Sequence, residues 1–585
     1  MTFYGLFIFI ICFSALICNG LELKKLKKDD TYSEELLIKR LKSEHLLAQF
    51  RFVITSDVKS GLDYLLFPRI ISEVVTKHHI EEFHMSLTHG SWRLNEWGVP
   101  PQPASPSGAE LYAWIYGNNT RKSVDERWVS FVNSMNGIFC TSLLDILSTY
   151  TAAPQISFSR MGYSNSEVSS EIRYGALSRE TIGMMYGLFQ TGLSMLLNPI
   201  KIYESVFHSM SVHFLHICKD GSVSCGDRRR LELNLNFVSE IDLKSRSLNW
   251  SFRSVFGRQL DQKCMVADRD LVLFEIDRKV KMQGHLLQKK NDRVYSVYNI
   301  SAYSPSDFPL DISAKYNTHL NLPVDDSSTL VTIRSYAAGV DQQSGRLISV
   351  LRNGQLVSQR VTYTHVVPWF LRIYYHTISI ICRAENVDEG EVLNPKVIRK
   401  IFIPGKDRQR PFLLEWDIIL PAKSVCEFSW EFDKAFLRVN EYPPDANHGF
   451  YIPAPVMSFS AADELWFKNR TVLGNSLVTI YDEILGKETD RSIRMYGEIL
   501  LILLPVPDFS MPFNVICLVC TAIAMLFGPV HSLTTKIMIP LSEENKDLAP
   551  LPPLRRLLVF IYNLVFKQVV MKIWKKSIPK KEKIS

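Results

Sequence analysis

A polar cluster borders the longest uncharged apolar run of the sequence. Asp508, Ser510 and Asn514 stand among prolines and aromatic residues, at the start of the run Phe513 to Thr535. An aspartate there could attract an ammonium group, and the serine hydroxyl and asparagine amide could donate hydrogen bonds to phosphate or sugar oxygens. The cluster predicts a site for a polar lipid head group. The alternative is structural: the prolines prevent an earlier helix start, and Asp508 or Ser510 caps the helix.

No pattern of a catalytic site stands out elsewhere. We find no nucleotide-binding loop, zinc-protease helix or nucleophile elbow. His78, His79 and His84 cluster, but no acidic or thiol partner follows at a helical or hairpin offset, so we expect no metal or cofactor site. Cys140 could be a thiol nucleophile paired with a distant histidine. A buried or disulfide-bonded cysteine on an apolar helix is the better interpretation.

Two apolar segments predict the membrane topology. Residues 1–20 end in small residues and predict a cleaved signal peptide, although the usual basic start is missing. The run Phe513 to Thr535 is long enough to cross a bilayer as one helix. Residues 536–585 hold 11 Lys or Arg against 4 Asp or Glu, which accounts for the whole net charge of +7. The basic tail therefore belongs in the cytoplasm and the neutral body in the lumen, and a nucleic-acid partner is not indicated.

The cytoplasmic tail carries two further signals. The apolar segment Leu557 to Trp574 is interrupted by polar residues and predicts a helix on the cytoplasmic membrane face, with a second span as the alternative. Lys581 and Lys583 stand five and three residues from the end, as in dilysine signals for the endoplasmic reticulum (ER). We expect a single-pass type I protein of the ER membrane.

Cysteines and glycosylation sequons agree with an oxidising lumen. Six cysteines lie outside the signal and the membrane run, and of their 15 possible pairings only Cys218 with Cys225 suggests itself locally. Four sequons fall on the proposed luminal side. They are Asn118, Asn249, Asn299 and Asn469.

Hydrophobic periodicity predicts a luminal body that is mainly β. Ser33 to Arg51 has helical leucine spacing, and Ser123 to Leu147 is the best helix, with a capping box at Ser123 and Glu126. From Leu231 the texture becomes strand-like, and Cys426 to Asp433 alternates at every step. We expect an antiparallel β-sandwich there, an N-terminal α/β part and one C-terminal transmembrane helix.

Two turns predict hairpins within the sandwich. Asn353-Gly354 separates the runs Leu347 to Arg352 and Leu356 to Thr364, and Pro421-Ala422-Lys423 separates Leu413 to Leu420 from the alternating run. The resulting division of the chain has five parts: a signal peptide (1–20), an α/β region (21–230), a β-sandwich region (231–506), a juxtamembrane motif with the transmembrane helix (507–535) and a basic tail (536–585).

Rare residue strings along most of the chain carry a family resemblance. The chain resembles the PIG-T family, the large luminal subunit of glycosylphosphatidylinositol (GPI) transamidase. The strings occur in the family's order: Leu66-Phe67-Pro68-Arg69, Ser91-Trp92 to Trp97-Gly98, Pro106-Ser107-Gly108-Ala109-Glu110-Leu111, Gly137-Ile138-Phe139-Cys140, Val367-Pro368-Trp369-Phe370-Leu371-Arg372, Glu441-Tyr442, Asn447-His448-Gly449-Phe450-Tyr451, Pro507-Asp508-Phe509-Ser510-Met511-Pro512 and Asn514-Val515-Ile516-Cys517-Leu518.

The resemblance implies a non-catalytic subunit. In that family's complex a caspase-like subunit cleaves the C-terminal signal of a proprotein, and the GPI ethanolamine amine then attacks the thioester. The PIG-T-like subunit scaffolds the assembly, stabilises the catalytic subunit and helps to bind the lipid. Partners implied are this caspase-like subunit, other membrane subunits, the GPI lipid and the proprotein signal. The resemblance also implies that Asn447, Asp508, Ser510 and Asn514 lie near the ethanolamine-phosphate head.

The sequence departs from the family at one position. Familiar members have a cysteine after a Leu-Pro-Arg-Glu string that forms a disulfide with the catalytic subunit. This chain has Leu177-Ser178-Arg179-Glu180 and Gly183, and the segment before Gly192 is shortened. Either the interchain bond is absent or a piece of coding sequence is missing.

Two other function classes compete with the transamidase subunit. A type I lectin-like or adhesion receptor would use the luminal β domain to bind glycans at a surface. A thiol hydrolase would use Cys140. The ER-type tail and the lack of a catalytic pattern favour the transamidase interpretation.

Overall fold

The computed structural model contains two compact units, Met1–Val506 and Pro507–Ser585. It describes the following residues: 31–41, 45–57, 66–98, 100–101, 103–117, 123–139, 141–143, 146, 150–162, 169–178, 192–218, 225–240, 250–276, 287–290, 293–314, 331–339, 343–385, 392–442, 446–460, 492–506, 510–536 and 553–561.

The N-terminal half of the first unit is built on a ten-stranded sheet. Its strand order is β10-β11-β9-β1-β2-β7-β6-β3-β4-β5, antiparallel except between β1 and β9, and β8 pairs with β12 separately. The strands are β1 (Thr31–Arg40), β2 (His45–Asp57), β3 (Ile80–His89), β4 (Gly108–Tyr116), β5 (Ser170–Leu177), β6 (Phe207–Cys218), β7 (Cys225–Glu240), β8 (Trp250–Ser251), β9 (Arg269–Ile276), β10 (Leu287–Lys290), β11 (Arg293–Asn299) and β12 (Ser313–Ala314).

Helices cover one face of this sheet. Phe131 packs edge-on against Phe83 of β3, and His78 contacts Ser134 through Nε2 and Oγ at 3.1 Å. The α-helices of this half are α1 (Arg69–His78), α2 (Leu94–Trp97), α3 (Val124–Phe139), α4 (Pro199–Tyr203) and α5 (Phe252–Phe256). Short 3-10 turns occupy Leu193–Leu196, Ile300–Ala302 and Pro305–Asp307.

The predicted helix at Ser123 is confirmed at its start. Ser123 Oγ accepts a hydrogen bond from Glu126 N at 3.2 Å, as a helix cap requires. The whole apolar stripe from Trp128 to Phe139 is buried. The helix ends at Phe139 rather than at Leu147, and Asn136 Oδ1 then accepts from Leu143 N at 3.1 Å.

The helix expected over Ser33 to Arg51 is wrong. These residues form β1 and part of β2, which pair antiparallel from Thr31↔Thr55 to Arg40↔Leu46. β1 lies between β2 and β9, and seven consecutive residues of it are buried, so both of its faces are covered and Leu36, Leu37 and Ile38 are buried in succession. The leucine spacing therefore lacks the alternation that marks a half-exposed strand.

The second half of the first unit is a sandwich of a six-stranded and a five-stranded sheet. The first has the order β13-β14-β21-β17-β18 with β16 beside β21, the second β19-β20-β15-β23-β24, and β22 pairs with β25. The strands are β13 (Val331–Ala338), β14 (Ser344–Asn353), β15 (Gln359–Val367), β16 (Leu371–Ile373), β17 (Ser379–Ala384), β18 (Val392–Leu393), β19 (Lys396–Ile403), β20 (Phe412–Leu420), β21 (Ser424–Lys434), β22 (Phe450–Ile452), β23 (Val456–Ser460), β24 (Ser492–Tyr496) and β25 (Leu500–Ile502), with 3-10 turns at Tyr375–Thr377, Val439–Glu441 and Ala446–His448.

The predicted sandwich is therefore confirmed, and its core is aromatic. Tyr363 of the five-stranded sheet lies 4.6 Å from Phe428 of the six-stranded sheet, and Trp416 lies 4.9 Å from the same ring. The predicted alternation of β21 is confirmed, since Cys426, Phe428 and Trp430 are fully buried. The predicted boundary at residue 230 lies inside β7, a strand of the ten-stranded sheet, and the sandwich begins at Val331.

Both predicted hairpins are wrong, because each turn crosses from one sheet to the other. β14 and β21 pair in the six-stranded sheet, while β15 and β20 pair in the five-stranded sheet. The two crossings lie side by side: Asn353 Nδ2 donates to Pro421 O at 2.8 Å, and Lys423 N donates to Gln355 O at 2.9 Å. The buried Asn353 side chain thus serves a corner between sheets. This corner end of the sandwich lies at the start of β21.

A segment of residues 155–162, which we call the clasp, joins the two halves. The Glu415 carboxylate of β20 accepts four hydrogen bonds of 2.8 Å, from the backbone N–H groups of Gln155, Ile156 and Ser157 and from Ser157 Oγ. At the other end of the clasp, Glu82 of β3 accepts from Met161 N and Gly162 N. The clasp is thereby tied to the sandwich and to the ten-stranded sheet.

An arginine also crosses between the halves. Arg494 of β24 donates to Tyr112 Oη at 2.6 Å, and its guanidinium lies 4.4 Å from the centre of the Phe158 ring in the clasp. Tyr496 Oη donates to Glu110 at 2.9 Å, and burial raises the pKa of Glu110 to about 7. This junction is buried and polar, so its hydrogen bonds fix one relative position of the two halves.

The second unit contains two described helices. Helix α6 (Ser510–Thr535) includes the segment Phe513–Thr535, with a mean hydropathy of 2.2. Among the described residues it alone is long and apolar enough to cross a membrane. Helix α7 (Pro553–Ile561) overlaps the first residues of the predicted segment 557–574, whose remainder lies outside the described range.

Candidate functional site at the exit end of the sandwich

The chain leaves the sandwich at the end opposite to the corner end. We call this the exit end and define it by residues 435–442, 446–452 and 500–506. Strands β22 and β25 pair there, with Phe450 opposite Ile502 and Tyr451 opposite Leu501. Ile502 is buried in the sandwich core, whereas Leu501 on the other face of the strand is exposed. Four residues after Val506, helix α6 begins.

A glycine brings the predicted residue Asn447 to this strand. Gly449 has φ +89°, and a Cβ there would come within 2.8 Å of Ile502 O and 3.1 Å of Leu503 Cδ2. Only glycine allows this backbone conformation and this close approach without strain. Gly449 therefore lies against β25, and Asn447 is exposed in the 3-10 turn Ala446–His448 that precedes it.

Neighbouring side chains hold the exit end in place. Tyr442 Oη donates to Pro505 O at 2.5 Å, which ties the segment after β21 to the last described residues before helix α6. His448 Nε2 lies 2.9 Å from Tyr451 Oη. An ion pair between Arg408 and Glu441 supports the same segment, and it lowers the pKa of Glu441. Asn447 thus stands on a supported surface.

The other predicted head-group residues belong to the second unit. Asp508 lies outside the described residues. Ser510 is the first residue of α6, and Asn514, four residues later, is exposed. Helix α6 starts at Ser510 itself, so the proposed capping by Asp508 or Ser510 stays a prediction.

The cysteine and sequon predictions have mixed outcomes. Cys218 and Cys225 are opposite each other at the ends of β6 and β7, which agrees in backbone register with the predicted pair. A disulfide that sequence reasoning missed joins Cys382 of β17 to Cys426 of β21. Asn299 ends β11 and is exposed, while Asn118, Asn249 and Asn469 lie outside the described residues.

Glu82, His84, His213 and Ser211 form a buried chain of hydrogen bonds in the ten-stranded sheet, which we call the histidine relay. It is not a reactive site. His84 Nε2 lies 2.7 Å from Glu82 Oε1, and His84 Nδ1 lies 2.8 Å from His213 Nδ1. Burial lowers the pKa of both rings, that of His213 to about 3, so both are neutral. With Ser211 Oγ 2.9 Å from His213 Nε2, one arrangement of protons satisfies every contact.

This relay corrects one part of the sequence interpretation. The carboxylate partner of His84 stands two residues earlier on the same face of β3, an offset typical of strands rather than of helices or hairpins. His78 contacts Ser134, and His79 ends α1 with φ 56°. No group of three metal-binding side chains occurs in the described part of the chain, and Cys140 lies outside it.

The fold defines the class first: a protein with a body of antiparallel sheets and one candidate membrane-spanning helix near its C-terminus. A model of the family described as "Gpi16 subunit, GPI transamidase component" matches residues 16–249 and 242–553. The chain therefore belongs to this family of GPI transamidase components.

Curated relatives agree with the family assignment. The "GPI-anchor transamidase component PIGT" of Mus musculus is 32% identical over 543 residues, which cover 87% of this chain and 90% of the relative. The Homo sapiens protein of the same description is 32% identical over 545 residues, with the same coverage. The "GPI transamidase component GPI16" of Saccharomyces cerevisiae is 24% identical, covering 88% and 90%. The resemblance to the PIG-T family is confirmed.

A structural match adds nothing to this. The collagen adhesin of S. aureus, matched over 81% of this chain and 93% of the adhesin, has 8% identity and a TM-score of 0.15. The receptor interpretation gains no support from it, and family membership favours the transamidase subunit.

Proposed function

We propose that the chain is the non-catalytic luminal subunit of GPI transamidase, which scaffolds the complex in the ER membrane and helps to hold the GPI head group at the exit end. Its partners are the caspase-like catalytic subunit, other membrane subunits, the GPI lipid and the proprotein signal. Family membership supports the complex, and the neutral body with its basic tail supports a luminal orientation.

The observation that carries the head-group part is the position of Asn447. Gly449, two residues after Asn447, lies against Ile502 and Leu503, and the chain runs on through Val506 to the start of α6 at Ser510. The seven steps of the chain from Val506 to Phe513 span at most about 25 Å. Val506 at the exit end is therefore never farther than this from the first residue of the apolar segment. The head group of a GPI lipid lies at the boundary between the membrane and the lumen, where exposed amide and hydroxyl groups of the protein can donate hydrogen bonds to its phosphate oxygens.

The sealed histidine relay supports a subunit without its own chemistry. Its rings are buried and neutral, and every polar atom named in it has a partner. Gly183, which stands where familiar members place the interchain cysteine, lies outside the described residues. Non-covalent docking of the catalytic subunit stays part of the proposal.

The test replaces the proposed head-group residues in cells that lack their own homologous subunit. We expect Asn447→Ala, Asp508→Ala and Asn514→Ala to lower the amount of a GPI-anchored reporter at the cell surface, because each removes a polar contact with the head group. Asn440→Ala is the matched control, since Asn440 is an exposed asparagine of the neighbouring turn.

Assembly must be measured beside attachment. The amount of co-purified subunits should equal the wild-type amount in all four variants. If assembly falls in step with attachment, the residues are structural and the head-group proposal fails. Normal attachment in the three variants would contradict it as well.

A further inference from the structure

Strand β25 and the residues after it are apolar on both faces. Ile502 and Leu504 are buried in the sandwich, while Leu501 is 46% exposed, Leu503 is 58% exposed and Val506 is 38% exposed. In β21 of the same sandwich the outward position between buried aromatic residues is taken by Glu431. A strand with apolar residues on both faces is typical of one that is covered on both sides. Leu501 and Leu503 on the outer face, followed by the exposed Val506 beyond the end of β25, are apolar side chains that the described part of the chain leaves uncovered, and we call these three residues the strip.

Aromatic side chains lie beside the strip, and its own segment of the chain carries no charge. Tyr451 is opposite Leu501 in the β22–β25 pair, and the His448 ring lies 5.5 Å from the Tyr451 ring. No Asp, Glu, Lys or Arg occurs from Ile499 to Pro507. Glu498, the last charged residue before the strip, is used elsewhere, since its Oε2 accepts a hydrogen bond from Ser335 N at 2.5 Å. Tyrosine beside leucine without charge is the composition that favours the interface between lipid and water.

The short distance along the chain between the strip and α6 indicates what covers the strip. Nine residues lie between Leu503 and Phe513, where the apolar segment of α6 begins, and the ten steps of the chain between them span at most about 36 Å. The strip is thus tethered to the apolar segment by a short connection, in which Asp508 is the one charged residue, in every arrangement of the two units. A bilayer is always within this reach, whereas a protein cover would have to be recruited.

We propose that the strip Leu501, Leu503 and Val506 rests in the interfacial layer of the luminal leaflet and sets the height of the exit end above the membrane. The occupant is the zwitterionic lipid surface itself. Contact is apolar, so it requires no anionic lipid and is insensitive to ionic strength. This contact goes beyond head-group binding, because it concerns bulk lipid and not the GPI molecule.

The corner end supplies a matched control. Leu356 is 78% exposed, more than any residue of the strip, but it lies beside Asn353 at the start of β21. Phe370, which contacts Phe450 of the exit end, is hydrogen-bonded to Ala435 just after the other end of β21. Leu356 and the strip are therefore separated by the length of an eleven-residue strand.

The experiment uses the full-length chain, reconstituted alone into phosphatidylcholine vesicles that contain spin-labelled quencher lipids. Cys517 and Cys520, free thiols of α6, are replaced by alanine, and Leu503→Cys or Leu356→Cys carries an environment-sensitive fluorophore. The same background without a new cysteine gives the residual labelling.

We expect loss of fluorescence from position 503 with quenchers near the head group, equally at low and high salt, and no loss from position 356. Equal fluorescence with and without quencher at position 503 would overturn the proposal. In that case a protein partner covers the strip, and Leu501→Asp with Leu503→Asp should reduce co-purified subunits. Since GPI is absent from these vesicles, the outcome is independent of the head-group proposal.

Discussion

At the scale of single residues, two buried carboxyl groups make the stability of the N-terminal half depend on pH. Glu34 of β1 and Asp270 of β9 lie opposite each other on parallel strands, and both are buried. Glu34 accepts from Tyr32 Oη and Leu193 N, whereas the Asp270 oxygens have no hydrogen-bond partner within the described residues. Burial raises the pKa of Glu34 to about 7, and burial together with the Glu34 charge raises the pKa of Asp270 to about 8.

The raised pKa values give a sign for Asp270→Asn. The folded state binds protons that the unfolded state releases above about pH 4, so the wild-type loses stability as the pH rises toward 8. Asparagine has the shape of the protonated aspartic acid and stays uncharged, so the variant should lose less stability as the pH rises. We expect its advantage to grow by roughly 1 kcal/mol per pH unit between about pH 5 and 8.

Thermal unfolding of the full-length chain in detergent at several pH values measures this difference. Asp261→Asn, which changes an exposed carboxyl nine residues away, is the matched control, because Asp268 accepts a hydrogen bond from Tyr32 N at 3.1 Å. Parallel pH curves for the wild-type and Asp270→Asn would contradict the assigned protonation.

From sequence, a cysteine pair could be predicted only where the signal was local. Cys218 and Cys225 were paired by proximity, but Cys382 and Cys426 meet only because β17 and β21 are neighbours in one sheet. Asn447 was assigned to the head group through the resemblance alone, and this assignment stays a prediction. Leu501 and Leu503 were missed, although the unbroken apolar run from Ile499 to Leu504 could have revealed a strand with two apolar faces.

At the scale of elements, the clasp determines how the sandwich sits on the ten-stranded sheet. Three consecutive backbone N–H groups and a hydroxyl converge on the Glu415 carboxylate, which is fully buried. Hydrogen bonds to a buried charge are stronger than those between neutral groups, and their donors cannot turn to water instead. Among the residues that hold the clasp, Glu415 of β20 is therefore the one whose replacement should lower the stability of the first unit most.

Glu415→Gln should destabilise the first unit by about 2–4 kcal/mol, because the amide presents one acceptor and one donor to four donors. Chemical denaturation of the full-length chain in detergent gives the free energy of unfolding. The matched control is Glu431→Gln, an exposed glutamate of β21, which should change it by less than about 0.5 kcal/mol. Similar values for the two variants would show that the clasp contributes nothing.

Elements were predictable where one face is exposed and ambiguous where both are buried. The alternation of β21 was read correctly because Glu427 and Glu431 mark its outer face. In β1 both faces are buried and in β25 both faces are apolar, so periodicity was uninformative. The turns at Asn353 and Pro421 were located correctly, but a turn alone does not reveal whether its two strands share a sheet.

At the scale of the whole molecule, the chain is a body of sheets whose last strand leads to a candidate membrane anchor. Hydropathy predicted the single span, and the described helix α6 agrees with it in length and composition. The domain boundary was harder, because Ser33 of β1 pairs with Arg269 of β9 across more than two hundred residues. Pairing over such distances leaves no trace in a local window of sequence.

The central claim is that this chain works as one subunit of GPI transamidase. Affinity purification of the tagged full-length chain from membranes in mild detergent, followed by identification of its partners, tests it most directly. We predict a stable complex that contains a caspase-like cysteine protease subunit and further membrane proteins. A folded chain that purifies alone under these conditions would contradict the claim.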